Sequence, residues 1–150
     1  MQLAIETARE SMNAGKGGPF GAIVVKGGVV IARSGNEVVS SNDPTAHAEV
    51  MAIRKACEVL QSFQLIGCEI YTTCEPCPMC LGAIYWARPS KVYYAGSRDD
   101  AANAGFDDAF IYNELNITPA DRKIPFISLN RESALSLFDE WKGCPFKKDY

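Results

Sequence analysis

A single histidine, His47, stands in His47-Ala48-Glu49, thirty residues ahead of the first cysteine of Pro76-Cys77-Pro78-Met79-Cys80. An imidazole and two thiols three apart are suited to grip one cation of borderline softness, so a fold that uses them together must bring two distant segments to one point. Cys77 and Cys80 sit where a helix begins: their sulfurs project to one side of the first turn, and the helix dipole favours thiolate there. Residues two apart do not share a helix face. Side chains of a first turn nevertheless lean toward the N-terminus, so His47 and Glu49 both reach a site beyond the start of their own helix. The chain must therefore fold so that two helix starts face each other.

At 150 residues the chain fits one domain, 1–150, able to bury about two-thirds of its unfolded surface, so it needs no metal merely to hold a core. Fifteen Lys and Arg against eighteen Asp and Glu give a net charge of −3, where a protein that tracks a phosphate backbone carries a basic face; no nucleic-acid partner is expected. Met1-Gln2-Leu3-Ala4-Ile5-Glu6 lacks the basic start and apolar stretch of a secretory signal, and no run of about 18 apolar residues occurs. A soluble, cytoplasmic protein with no membrane partner is expected. Six cysteines in a reducing compartment are a poor disulfide framework, and Cys74, Cys77 and Cys80 crowd together as metal ligands do.

Periodicity and turn chemistry predict a helix over Leu3 to Ala14, with Ala4, Ala8 and Met12 repeating every four, and breakers at Gly15 and Gly17-Gly18-Pro19. Strands follow at Phe20 to Lys26 and Val29 to Arg33, joined by the hairpin dipeptide Gly27-Gly28. Asn42-Asp43-Pro44-Thr45 opens a helix over Ala46 to Leu60 with Val50, Ile53, Cys57 and Leu60 on one stripe. Glu69 to Thr73 reads as a strand, Pro78 to Ala87 as a helix and Lys91 to Ala95 as a strand, which implies a parallel pair with a crossing helix. Further on, Phe106 to Leu115 and Ser133 to Lys142 read as helices and Ile124 to Leu129 as a strand. With no repeat or linker, one layered α/β domain is expected.

Three protein ligands, His47, Cys77 and Cys80, leave a tetrahedral zinc ion one position for water, whose pKa falls from about 15.7 to about 7 on binding. Hydrolysis then needs a carboxylate that is not a ligand to carry the proton, and Glu49 is placed for it. Two other readings exist: a closed structural site with Cys74 as fourth ligand, which leaves an acid beside the histidine unexplained, and a redox Cys-x-x-Cys, which leaves His47 and Glu49 idle.

Pro44-Thr45-Ala46-His47-Ala48-Glu49 and Cys74-Glu75-Pro76-Cys77-Pro78-Met79-Cys80-Leu81-Gly82-Ala83 together resemble the cytidine deaminase superfamily, in the branch that holds tRNA adenosine deaminases and bacterial guanine deaminases. Further stretches carry the likeness to the latter: Gly17-Gly18-Pro19-Phe20-Gly21-Ala22, Ile84-Tyr85-Trp86-Ala87-Arg88-Pro89, Ala104-Gly105-Phe106-Asp107-Asp108 and the ending Lys147-Lys148-Asp149-Tyr150. The resemblance implies a three-layer α/β/α domain with a five-stranded mixed sheet, one zinc ion per subunit, and a homodimer that exchanges its C-terminal segment, about residues 130–150. It also implies conversion of guanine, a small purine base, and water to xanthine and ammonia.

Carried over by position, His47, Cys77 and Cys80 resemble the zinc ligands and Glu49 the proton shuttle. Asp108 resembles a second acid near the exocyclic amine, Asn36 and the Ala48 backbone the groups that hydrogen-bond the purine, and Tyr150 a residue that closes the pocket. Phe20 and Trp86 are walls for a planar heterocycle, Trp86 being equally placed for a core or subunit interface. Without the family, Asp107-Asp108 reads as a helix start, Asn36 as a turn residue and Tyr150 as a frayed end. Guanosine or an aminotriazine is a related alternative substrate. An adenosine in structured RNA is a more distant one, because the tail from Arg131 to Tyr150 balances four basic residues with Glu132, Asp139, Glu140 and Asp149.

Overall fold

The computed structural model describes residues 1–149. These divide into two compact units, one from Met1 to Asp108 and one from Ala109 onward.

The first unit begins with helix α1 (Gln2–Asn13), then strands β1 (Gly21–Lys26) and β2 (Val29–Gly35). Gly27 and Gly28 form the turn between them with φ of +56° and +81°, the left-handed conformations that a two-residue hairpin needs and that glycine adopts at least cost. A short helix α2 (Val38–Ser41) leads to helix α3 (Ala48–Leu60), strand β3 (Cys68–Cys74), helix α4 (Pro78–Ala87), strand β4 (Lys91–Gly96) and helix α5 (Arg98–Asn103). The sheet order is β2-β1-β3-β4. β1 runs antiparallel to both β2 and β3, while β3 and β4 are parallel with α4 between them in sequence, as the strand-helix-strand spacing predicts.

Alternation sets the two faces. In β3, Cys68, Ile70, Thr72 and Cys74 are buried and the residues between them are not, the period of two expected of a strand. Ala22 pairs with Thr72 and Val24 with Ile70, so these inward side chains stand side by side. Ala48, Ala52 and Ala56 of α3 and Ile84 and Ala87 of α4 pack with them in one core. Full burial of Val24, Leu65 and Ile70 contributes about 1.5–3 kcal/mol each. On the other face, Gly21 and Gly35 pair in register. A Cβ on Gly21 would run into the Ala4 carbonyl oxygen, and one on Gly35 into the Ser11 side chain, so the two glycines let α1 lie directly on β1 and β2.

The second unit holds helix α6 (Ala109–Leu115), a short 3-10 turn at Pro119–Asp121 and helix α7 (Arg131–Lys142). The Arg122 guanidinium lies 4.9 Å from the Phe126 ring centroid. Among the described residues no helix is long and apolar enough to cross a membrane.

Several expectations need correction. The sheet has four strands among the described residues, not five, and Ile124 to Leu129 is not a strand. A strand exists only with a ladder partner, and the Phe126 N–H instead donates to the Pro119 carbonyl at 3.1 Å. The buried residues of α3 are Glu49 and the alanine series Ala48, Ala52 and Ala56, with Ile53, Cys57 and Leu60 only partly buried against the core. In α1, Met12 is exposed and Thr7 and Ser11 are buried with Ala4 and Ala8. The helix expected from Phe106 begins at Ala109; Gly105, with φ of +93°, turns the chain so that Phe106 meets Phe20 edge-on at 4.9 Å. Helices α2 and α5 were not foreseen, although Ser97 and Asp100 form a capping box at the start of α5.

Candidate active site

His47 and Cys77 are the N-cap residues of α3 and α4, both with extended backbone, and neither side chain makes a capping hydrogen bond. Pro78 occupies the first turn of α4, where its missing N–H costs nothing. As an N-cap, His47 is freed from the helical face that would have separated it from Glu49. Its Nδ1 lies 3.6 Å from the Cys77 sulfur and 3.6 Å from the Cys80 sulfur. All three ligand atoms fall within 4.8 Å of one another.

This donor set fits zinc. Bond lengths of about 2.3 Å to sulfur and about 2.0–2.1 Å to nitrogen at the tetrahedral angle place N and S about 3.6 Å apart. The electrostatics agree. Cys77 is held down at about 4, by its hydrogen bond with Cys80 first and then by His47, while Cys80 is pushed up by that same pairing, by burial and by Glu49. Two adjacent thiols that cannot both ionise alone can do so against a shared cation. Hydrogen bonding to Cys77 raises the His47 pKa, against its partial burial.

Cys74 stands apart from this set. Its thiol donates to the Ser97 carbonyl at 3.5 Å, and burial, with the Glu49 charge, pushes it up to about 11. The donors brought together are therefore His47, Cys77 and Cys80, which leaves a fourth tetrahedral position for water.

Glu49, on the first turn of α3, is only 5% exposed. Burial raises its carboxyl pKa, opposed by hydrogen bonds from its own backbone, Thr72 and Cys80. The Thr72 hydroxyl donates to Glu49 Oε1 at 2.8 Å, and the Cys80 sulfur lies 3.4 Å from Oε2. Asp108 has its pKa raised by burial and then by the Cys77 charge, and its own charge acts on His47, so it shares the field of the ligands.

Asn36 is buried at the end of β2. Its Oδ1 accepts the Val38 N–H at 3.1 Å and its carbonyl accepts the Ser11 hydroxyl at 2.7 Å. With Oδ1 engaged, the amide N–H groups are what Asn36 offers outward. Gly17 makes room for that side chain, since a Cβ there would overlap Asn36 Oδ1. Ala48, fully buried, opens α3, where backbone N–H groups have no helical acceptor. Phe20 packs against the core and on Phe106. Trp86 is 62% exposed on α4 and is not gathered with the ligands' buried surroundings. Tyr150 lies outside the described residues.

Thr72, Gly17 and Phe106 escaped sequence reasoning. A signal for Thr72 existed: it is the polar residue at an inward position of an otherwise apolar strand face.

The family described as cytidine and deoxycytidylate deaminase zinc-binding region matches residues 1–96. The chain is 56% identical to the guanine deaminase of Bacillus subtilis over 150 residues, covering 100% of this chain and 96% of that protein. The X-ray structure of guanine deaminase from Bacillus subtilis superposes with a TM-score of 0.96 at 56% identity, over 99% of this chain and 95% of that one. A tRNA-specific adenosine deaminase of Aquifex aeolicus is 34% identical over 148 residues, covering 99% of this chain and 92% of that protein. With two convergent helix starts, a His-Cys-Cys donor set and a buried acid beside it, the chain belongs to the cytidine and deoxycytidylate deaminase family of zinc-binding proteins.

Proposed function

We propose that the protein hydrolyses guanine to xanthine and ammonia. The observation that carries this is the buried Glu49 carboxylate, which touches the Cys80 sulfur with one oxygen and is not itself among the three metal donors. Support for guanine over an RNA adenosine comes from the 56% full-length identity to a guanine deaminase, against 34% for the tRNA enzyme, and from the net charge of −3.

His47, Cys77 and Cys80 would hold zinc, whose chemistry when bound is to acidify a water molecule. Glu49 would take a proton from the attacking water and deliver it to N3 of the ring as the water oxygen bonds to C2. Glu49 then takes the proton of the new C2 hydroxyl and passes it to the 2-amino group, so that the C2–N bond breaks as C2–O becomes a carbonyl and ammonia leaves; guanine and water are consumed and xanthine and ammonia formed. A carboxyl whose pKa is raised by burial is suited to both halves of this shuttle. Asp108, its pKa raised by burial, is the second acid we assign near the departing amine. The Asn36 amide and the Ala48 N–H orient the purine, and Phe20 forms a wall. Its exposure favours Trp86 at a subunit interface over the pocket, and Tyr150 is proposed, on the family likeness, to close it.

We also read residues 1–150 as one deaminase domain acting as a cytoplasmic homodimer that exchanges its C-terminal segment. Thiolate ligands suit a reducing compartment. The apolar side chains Leu137, Phe138 and Phe146, exposed in the single chain, favour a segment completed by a second copy. Light scattering should give twice the 16.4 kDa chain mass; a monomer would end that part of the reading.

The test of function is ammonia release by zinc-loaded protein from guanine, guanosine, adenine, cytosine and cytidine in parallel. Turnover of guanine alone is expected. Preference for guanosine would move the reading to a nucleoside, and silence on all five would remove the small-molecule reading.

A further inference from the structure

A carboxylate that ferries protons must present the same oxygen to the reacting atoms on every turnover, yet a glutamate has three rotatable bonds. Glu49 is restrained at both oxygens. Oε1 accepts the Thr72 hydroxyl at 2.8 Å, and Oε2 lies 3.4 Å from the Cys80 sulfur, on the side of the metal donors.

Thr72 is a rigid anchor. Its side chain is wholly buried, and its strand is flanked on both sides, by Ala22 of β1 and Tyr94 of β4. Its β-branched side chain has little rotational freedom. A hydroxyl carries one proton, so while Thr72 donates to Oε1 it fixes the carboxylate plane and turns Oε2 to the side of the metal donors, where its neighbour is the Cys80 sulfur.

We propose that Thr72 is a positioning residue for the deamination reaction, its hydroxyl holding Glu49 Oε1 so that Oε2 is the atom that takes and returns the proton. This rests on the reading of Glu49 as the proton carrier. Thr72 touches neither metal donor nor substrate in this role; it acts through Glu49.

The test uses two matched pairs that differ by one hydroxyl: Thr against Thr72→Val, nearly isosteric, and Thr72→Ser against Thr72→Ala, which serves should the valine variant not fold. All are assayed zinc-loaded, with metal content and Tm measured alongside kcat and KM for guanine. Loss of a hydrogen bond to a charged group predicts a fall in kcat of about 10- to 100-fold within each pair, with KM changed less than about threefold. Thr72→Ser should stay within about threefold of the parent, and Thr72→Val should add nothing in a Glu49→Gln background. A kcat unchanged within each pair, or a serine variant as slow as alanine, overturns the proposal; so does a loss explained by lost zinc or stability alone. Crystal structures of the parent and of Thr72→Val, or of Thr72→Ser and Thr72→Ala if that variant does not fold, supply a readout that does not depend on substrate. Glu49 should keep one position with the hydroxyl and several without it. If the parent fails to turn over guanine, the functional reading falls, and these structures still decide the positioning role: one fixed Glu49 position in both members of a pair overturns it.

Discussion

The imidazole Nδ1 of His47 lies 3.6 Å from the sulfur of Cys80, although 33 residues separate them in the chain. That separation is set by two helix starts aimed at each other, and it is the spacing that a shared tetrahedral zinc imposes. The Cys77 sulfur lies at the same 3.6 Å from Nδ1, so the three donors form an open half-shell rather than a closed cage. We expect metal analysis to find one zinc per chain, lost in His47→Ala, Cys77→Ala and Cys80→Ala and kept in Cys74→Ala. Loss of zinc in Cys74→Ala as complete as in Cys77→Ala would mean a closed four-ligand site.

Removal of the metal should expose the inequality of the two thiols. Cys77, hydrogen-bonded to Cys80 and His47, is held at about 4 against an ordinary 9.0, whereas Cys80 is pushed up. The metal-free protein should therefore alkylate at Cys77 with iodoacetamide at pH 6, read by peptide mass. For Cys77 the sign is that stability is lost as the pH falls from about 9 toward about 4, while the raised Cys80 opposes it above about 9 and the raised His47 offsets part of it at low pH. Equal labelling of both cysteines only near pH 9 would contradict this.

Gly21→Ala should destabilise the fold without touching the site, because the added Cβ meets the backbone carbonyl of Ala4, which has no rotamer to escape through. Overpacking of this kind costs about 1–3 kcal/mol in denaturant melts. Gly28, with φ of +81° but open space around it, should lose less on the same change and through strain alone.

Asn36→Ala should lower kcat/KM for guanine about tenfold or more with zinc retained, the effect of removing an aimed amide from a purine site. Gly17→Ala should do likewise, since its Cβ would displace the Asn36 side chain. Normal kinetics in Gly17→Ala would show that Asn36 is not held where we place it.

The sequence made some of this legible because the signals were local. Pro78 to Ala87 is a helix with those bounds, and Gly27-Gly28 turns the hairpin. The His47 and Cys77-Cys80 donors also announce themselves, since spacing and residue type suffice to define a metal grip. What stayed hidden depends on distant partners. Nothing near Ala48, Ala52 and Ala56 says that this face, rather than the bulkier stripe of Val50 and Ile53, will be the one pressed on the sheet. Ile124 to Leu129 has strand composition and no ladder partner in the described chain, so composition misleads there. Thr72 shows only as a polar residue on an inward strand face, with no sign of its partner until the fold carries Glu49 to it across 23 residues.

The most direct test is Glu49→Gln, which nearly preserves shape and removes the exchangeable acid. Zinc content, Tm and guanine KM should stay close to those of the parent while kcat falls about 10²- to 10⁴-fold, the usual worth of a general acid-base group. A Glu49→Gln protein that keeps its zinc and deaminates guanine at the parent rate would contradict the role of Glu49 as the proton carrier.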